Sequence, residues 1–267
     1  TQTIILDDDP GQDVTIHLDV AGSAILGAGY TGNGSMTISN GTEIISIEGF
    51  AGYGAGSTGV VTVEGGGSTW TTVAGGSGAS PKPWSENPSD LDVGYYGDGT
   101  LNIVEGGAVN SVAGNIGTHA GAMGAVTVDG FGSAWNILQS SSWVDVSLTV
   151  GGEGAGLLTI TDRGLVNVQD AFVIDANGDG DSFVNMSGGG MLALYGQADT
   201  SLTDFYTLVG GTDAIRYWDD TSADWAMLTG ATLGTDYRLD YQTEGDLMGY
   251  TMLTVGGLGD CIPCEAG

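Results

Sequence analysis

The stretch "DANGDGD" sets oxygen-bearing side chains at alternate positions, Asp175, Asn177, Asp179 and Asp181, with Gly180 supplying the freedom for a tight turn. Hard cations are held by oxygens so spaced, and the pattern is the first half of an EF-hand-like calcium loop, so calcium is the cofactor it suggests. The second half differs. The twelfth position, where such a loop needs a bidentate Glu, is Met186, in a strand pattern rather than a helix. The competing reading is a metal-free Asp/Asn/Gly turn. "LDDDPGQD", with Asp7, Asp8 and Asp9, is a weaker candidate that reads as a solvated acidic turn.

Residues suited to catalysis are scattered. His17 falls in a strand pattern and His119 in a glycine-rich turn, and nothing in their spacing suggests a triad. A polysaccharide lyase would need a base and cations to steady an enolate, yet Lys82, Arg163, Arg216 and Arg238 are the whole basic complement and lie far apart in sequence. Arg163 sits in a turn, where a salt bridge is the expected role. Carboxylate pairs for glycoside hydrolysis carry no information among 33 acidic residues, because chance alone supplies them. The sequence points away from an enzyme. Cys261 and Cys264 form "CIPC" without the strand-to-helix setting of a redox motif or the His of a haem-attachment motif. A small terminal disulfide is expected, with a cross-link to a neighbouring chain as the alternative.

The formal charge of −29 repels nucleic acid and anionic membranes, and no apolar run is long enough to span a bilayer as a helix. The opening "TQTIILDDD" lacks the basic and apolar regions of a signal peptide, which fits a leader already removed. A cysteine-free body with one terminal pair suits export, where a disulfide persists. The expected location is extracellular, at a cell surface.

What must position these residues is a repeat. Apolar triplets follow glycine turns at Val14-Thr15-Ile16, Met36-Thr37-Ile38, Val61-Thr62-Val63, Leu101-Asn102-Ile103, Val126-Thr127-Val128, Leu158-Thr159-Ile160 and Val184-Asn185-Met186. Their offsets are 22, 25, 40, 25, 32 and 26, and the two longest contain the loop-like "GGSGASPKPWSENPSD" and "QSSSWVD". The underlying period is therefore about 25 residues. Short strands in period-two alternation, separated by glycine and uninterrupted by helix, predict a single-stranded parallel β-helix, a solenoid of the all-β class.

Two coil types alternate. In one, an apolar residue stands eight positions beyond the triplet's first, at Ile44, Val109 and Val166. In the other, "VTVEGGGSTW" and "VTVDGFGSAW" place Trp70 and Trp135 nine positions on. Indoles at a fixed register read as core packing before they read as sugar platforms. The segments expected are 1–13, an N-terminal strand and acidic turn; 14–194, the β-helix; 195–257, a small, mainly β capping or docking segment; and 258–267, the Cys-x-x-Cys tail. After Leu194, Thr200 or Ser201 is the expected cap of a short helix, with Asp204 in its first turn. "AIRYWD", "DWAMLTGA", "YRLDYQT" and "YTMLTV" follow as strands.

The alternation of "G-x-G-x-L-x-I-x-x-G-G-x-V" with "G-x-V-T-V-D/E-G-x-G-S-x-W", from about Gly22 to Leu194, resembles the repeat of type V autotransporter passenger domains and of exosortase-sorted (PEP-CTERM) bacterial surface proteins. The resemblance implies a right-handed β-helix outside the cell, used for adhesion or surface structure, and no particular reaction. The outer-membrane barrel and the apolar, Arg-ended sorting tail of those families are not among these residues.

The expected function is an extracellular structural protein that self-assembles head to tail into a filament. The N-terminal strand, with Thr1, Thr3, Ile4, Ile5 and Leu6, would add to an edge of the next copy. The alternatives are a monomeric adhesin binding extracellular polysaccharide, through Trp84, Trp143 or the tyrosines of "GYYGDG", and, behind it, a polysaccharide-active enzyme.

Overall fold

The computed structural model describes residues 25–73, 90–138 and 147–257. Alternation of Val, Ile and Leu with Thr, Asn and small residues yields strands that bury every second side chain, as in Thr58–Glu64 and Met123–Asp129. The strands β1 (Ile25–Ala28), β2 (Asn33–Ile38) and β3 (Glu43–Ser46) enter three different sheets in turn. The strands β4 (Glu48–Ala51), β5 (Thr58–Glu64), β6 (Thr69–Thr72), β7 (Asp90–Val93), β8 (Asp98–Val104), β9 (Ala108–Ser111), β10 (Ala113–Ile116), β11 (Met123–Asp129) and β12 (Ala134–Ile137) repeat the rotation. So do β13 (Ser147–Val150), β14 (Ala155–Thr161), β15 (Leu165–Val168), β16 (Ala171–Ile174), β17 (Phe183–Met186) and β18 (Gly190–Tyr195). Each strand lies parallel on the strand three places earlier, so the protein is all-β with three long parallel sheets.

The pairing stacks the sequence triplets in one column. Met36 pairs with Val61, Val61 with Leu101, Leu101 with Val126, Val126 with Leu158 and Leu158 with Val184, all in the second sheet. The triplet at Val14 lies outside the described residues. In the third sheet half-buried Ile44 and the buried Trp70, Val109, Trp135, Val166 and Leu192 form one column, which unites the two offsets of the repeat. Across the core, the first sheet places Leu26, Gly49, Leu91, Gly114, Leu148 and Phe172 in register. Glycine occupies that column in each coil that carries tryptophan. A Cβ at Gly114 would sit 2.5 Å from Trp135 Cζ2, and one at Gly49 the same distance from Trp70 Cζ2. Each indole Nε1 donates to a serine of the preceding coil, Trp70 to Ser46 Oγ and Trp135 to Ser111 Oγ, both at 3.0 Å. Large against small, with the polar atom satisfied, is how close packing admits an indole. The tryptophans are core residues, fully buried.

Recognisable periodicity ends at Leu194, but parallel pairing does not. Ser201 caps the helical turn α1 (Leu202–Phe205), its Oγ accepting the Asp204 N–H at 3.1 Å, while Thr200 Oγ donates to the Asp204 carboxylate. After it, β19 (Val209–Gly211) and β20 (Ile215–Asp219) lie parallel on β16 and β17. A helical turn and a bare Val-Gly-Gly strand hide this level from any triplet count. Beyond it the direction reverses. The strand β21 (Asp224–Met227) folds back on β20; β22 (Tyr237–Tyr241) pairs antiparallel with β23 (Tyr250–Val255), which lies antiparallel on β18.

Candidate functional site

Each passage from the first sheet to the second turns on a residue with positive φ. Gly29, Gly52, Gly94, Gly117 and Gly151 hold this place in five successive coils, and their N–H and C=O groups ladder from coil to coil. A Cβ on any of them would strike the chain of the following coil, so glycine is imposed by the stacking. The corner ends at a second glycine, and the offset alternates: five residues (Gly29 to Gly34, Gly94 to Gly99, Gly151 to Gly156) or seven (Gly52 to Gly59, Gly117 to Gly124). The sixth corner, Asp175 to Ser182, is of the seven-residue kind and replaces both glycines. Asp175 takes φ 54°, and Ser182 Oγ accepts the Gly156 N–H at 2.9 Å.

The predicted metal ligands therefore lie on a corner that holds three carboxylates, where the Gly94–Gly99 and Gly151–Gly156 corners hold one each, Asp98 and Glu153. Asp175, Asp179 and Asp181 each bring an oxygen within 4.8 Å of the others, Asp175 buried and the other two exposed. Turn hydrogen bonds hold all three. Asp175 accepts the Gly180 N–H at 3.1 Å, Asp179 accepts the Asp181 N–H at 3.3 Å, and Asp181 accepts from Ser182 Oγ at 3.0 Å. Asn177 joins through its amide nitrogen, which donates to Asp179 Oδ2 at 2.8 Å, and its oxygen faces the Asp179 N–H. The structure thus brings the three predicted carboxylates together, with Asn177 hydrogen-bonded to Asp179 beside them. The carboxylates divide electrostatically. Asp179 is held below the usual range, chiefly by its hydrogen bond with Asp181, while Asp181 is pushed up by desolvation and then by the neighbouring Asp179 and Asp175 charges.

The same corner carries aromatic residues in the earlier coils. Tyr30, Tyr53 and Tyr95 stack with ring centroids 5.0 and 4.9 Å apart and planes within about 15°, the spacing of the strands beneath. Tyr95 is buried, whereas Tyr96 is 47% exposed and stacks on His119 at 4.1 Å. Of the pair in "GYYGDG", only Tyr96 keeps a substantial open surface. His119 lies between these rings and Glu153, its Nδ1 4.0 Å from the carboxylate.

Arg163 does sit in a turn at positive φ, but its guanidinium lies over the Phe131 ring at 5.3 Å, and among the described residues it makes no ion pair. Arg216 covers Phe183 at 3.5 Å and donates to Asn185 Oδ1 at 2.9 Å. Arg238 pairs with Asp240 on β22. Thr1, Thr3, Ile4, Ile5, Leu6, Asp7, Asp8, Asp9, His17, Lys82, Trp84, Trp143, Cys261 and Cys264 lie outside the described residues. The sequence reading missed the Asn110–Asn136–Asn167 ladder on the third sheet, whose signal was one Asn at the same register in successive coils. Asn136 Nδ2 donates to Asn110 Oδ1 at 2.9 Å and Asn167 Nδ2 to Asn136 Oδ1 at 3.2 Å. Compared with known proteins, the chain matches no family model, no curated protein and no solved structure.

Proposed function

We propose that the chain is an extracellular structural protein, a parallel β-helix of about 25 residues per coil that acts as a non-catalytic building element of a bacterial surface fibre or matrix. The observation that carries this reading is the six-level register of buried columns beneath an acidic exterior. A chain built of repeated coils gains length and stiffness, and each coil needs a neighbour on both sides. The repeat's likeness to autotransporter and PEP-CTERM surface proteins supports the location. Head-to-tail growth must contend with β21, β22 and β23, because antiparallel strands occupy the end where a further parallel coil would add. Purified protein in high salt and calcium should associate, by light scattering and electron microscopy, since screening relieves the −29 charge. Deleting Thr1 to Leu6 should abolish filaments if strand addition joins the copies; a protein that stays monomeric under all these conditions refutes the structural reading.

Calcium at Asp175, Asn177, Asp179 and Asp181 would stabilise the sixth corner and its junction with the strand at Val184. Both exposed carboxylates must be ionised to ligate, and the raised Asp181 is the last to ionise, so affinity should climb with pH through a range above that of an ordinary Asp. Calorimetry on the intact chain and on Asp179→Ala/Asp181→Ala decides it: equal titrations for the two refute the site. The second reading, a monomeric adhesin, draws on the exposed Tyr96 face beside His119.

A further inference from the structure

Six times in the described chain the second sheet hands over to the third through a short corner, as at Gly65–Ser68, Gly130–Ser133 and Ser187–Gly190. One level further the handover is missing. The strand β20 continues the second sheet but reverses into β21, and the third sheet is continued by β23, which arrives from elsewhere in the chain. Two strands thus stand side by side with no corner between them. Over the last corner, Ser187–Gly188, lies a cleft of about 460 Å³, lined on the side of β20 by Tyr217 and Trp218, with Asp220 and Asp236 beside them.

We propose that this cleft is a binding site for an uncharged saccharide. Its size suits one or two sugar rings rather than a single ion. Its chemistry narrows the class. No Lys or Arg lines it and two carboxylates do, so an anion is repelled. Tyr217 continues the inward column above Met186, with which it pairs, so an aromatic ring stands where a further coil would have placed an aliphatic residue. Aromatic faces receive the C–H faces of sugars, and carboxylates accept paired hydroxyls. Trp218, 41% exposed, is steadied by an edge-on contact with Trp225 at 5.5 Å. Asp236 is fixed by accepting the Thr232 N–H at 2.7 Å through one oxygen. Burial first, then the Asp219 and Asp236 charges, pushes the Tyr217 phenol up, in keeping with an acidic lining that disfavours an anion. None of this depends on self-assembly, so the site stands or falls apart from the structural reading.

The test uses the full chain and ligand-observed NMR with calorimetry. The probes are maltohexaose and cellohexaose as neutral sugars, an alginate oligomer as an acidic one, and tetramethylammonium as a cation that would also suit aromatic and acidic groups. At least one neutral sugar should bind and the alginate should not. Trp218→Ala and Asp236→Asn should each weaken binding at least about tenfold, roughly 1.4 kcal/mol, with unchanged circular dichroism. Trp135→Phe, far from the cleft, should leave affinity as it was. Binding of tetramethylammonium without any neutral sugar would reassign the cleft to cations. Silence from every neutral probe at about 10 mM, a concentration beyond useful surface affinities, overturns the proposal, as does equal binding by the Trp218 and Asp236 variants.

Discussion

The parallel body and the antiparallel end use the same residue types to different purposes. In the body, Trp70 and Trp135 are fully buried, face glycines across the core and donate to serines one coil back. At the end, Trp218 and Trp225 pair across a hairpin, and Trp218 keeps 41% of its surface open. A position in the body is constrained by the coils above and below it, so its identity is set by stacking. At the end the outermost strands, β21 and β22, have a neighbour on one side only, and Trp218, one residue beyond the stretch of β20 that pairs with β17, is paired with β21 alone and keeps an open face. The difference predicts a steep contrast in mutational cost.

The largest effect should come from the corner glycines. Gly99 abuts the Gly94 N–H and the Ala51 carbonyl, so any Cβ there collides with backbone that cannot yield without parting two coils. Gly99→Val should cost more than about 4 kcal/mol, the exceptional range for one substitution, measured by chemical denaturation. Gly230, in the end segment, has nothing within 4 Å of a Cβ, so Gly230→Ala should be close to neutral. Equal costs at the two would break the comparison.

Next is the indole. Trp135→Ala should cost about 3–5 kcal/mol through lost burial and the cavity left beside Gly114. Trp218→Ala should stay within about 1 kcal/mol, because a half-exposed side chain loses little on truncation. A smaller step sharpens the same point: Ser111→Ala leaves the buried Trp135 N–H without its acceptor and should cost about 1–3 kcal/mol.

The sequence revealed most where neighbours in space are copies of one another. One period located the triplet column, and it marked Ile44, Val109 and Val166 in one coil type and Trp70 and Trp135 in the other; that these five share a single column emerged only from the strand pairing. The alternation of coil types was legible too. Its partner on the opposite wall, Gly49 and Gly114 facing the indoles, was not, because a glycine among 50 carries no mark of which side chain lies over it. At the metal candidate, Asp175, Asp179 and Asp181 were found by spacing alone, while the Asp175 and Ser182 substitution for a glycine pair emerged only once the coils were aligned in space. Beyond Leu194 individual strands could be read and their pairing could not. Whether β20 continues a parallel sheet or begins a hairpin depends on contacts far away in sequence, and it does both.

The smallest expected effect at neutral pH concerns Tyr206, which follows α1 at the start of the end segment. Burial, with the Asp213 charge adding to it, pushes this phenol far above the ordinary tyrosine value, and among the described residues its hydroxyl has no hydrogen-bond partner. A folded-state value raised above the unfolded one means that the native protein keeps a proton the unfolded chain releases. That contribution is complete below about pH 10 and is lost as pH rises above it, at up to about 1.4 kcal/mol per pH unit for one group. The buried Tyr250 is shifted in the same direction, again by burial first. The protein should therefore unfold in alkali, beginning at the end segment. Circular dichroism together with tyrosinate absorbance at rising pH would follow it. Tyr206→Phe should be neutral or stabilising by about 1 kcal/mol at pH 7, since no buried donor is left unpaired, and should move the alkaline transition upward. If the variant is destabilised at pH 7 and its alkaline midpoint is unchanged, the hydroxyl is bonded in solution and the burial argument fails. If the tryptophan fluorescence of Trp135 is lost before that of the Trp218 and Trp225 pair, the body opens first and the contrast between the two regions is reversed.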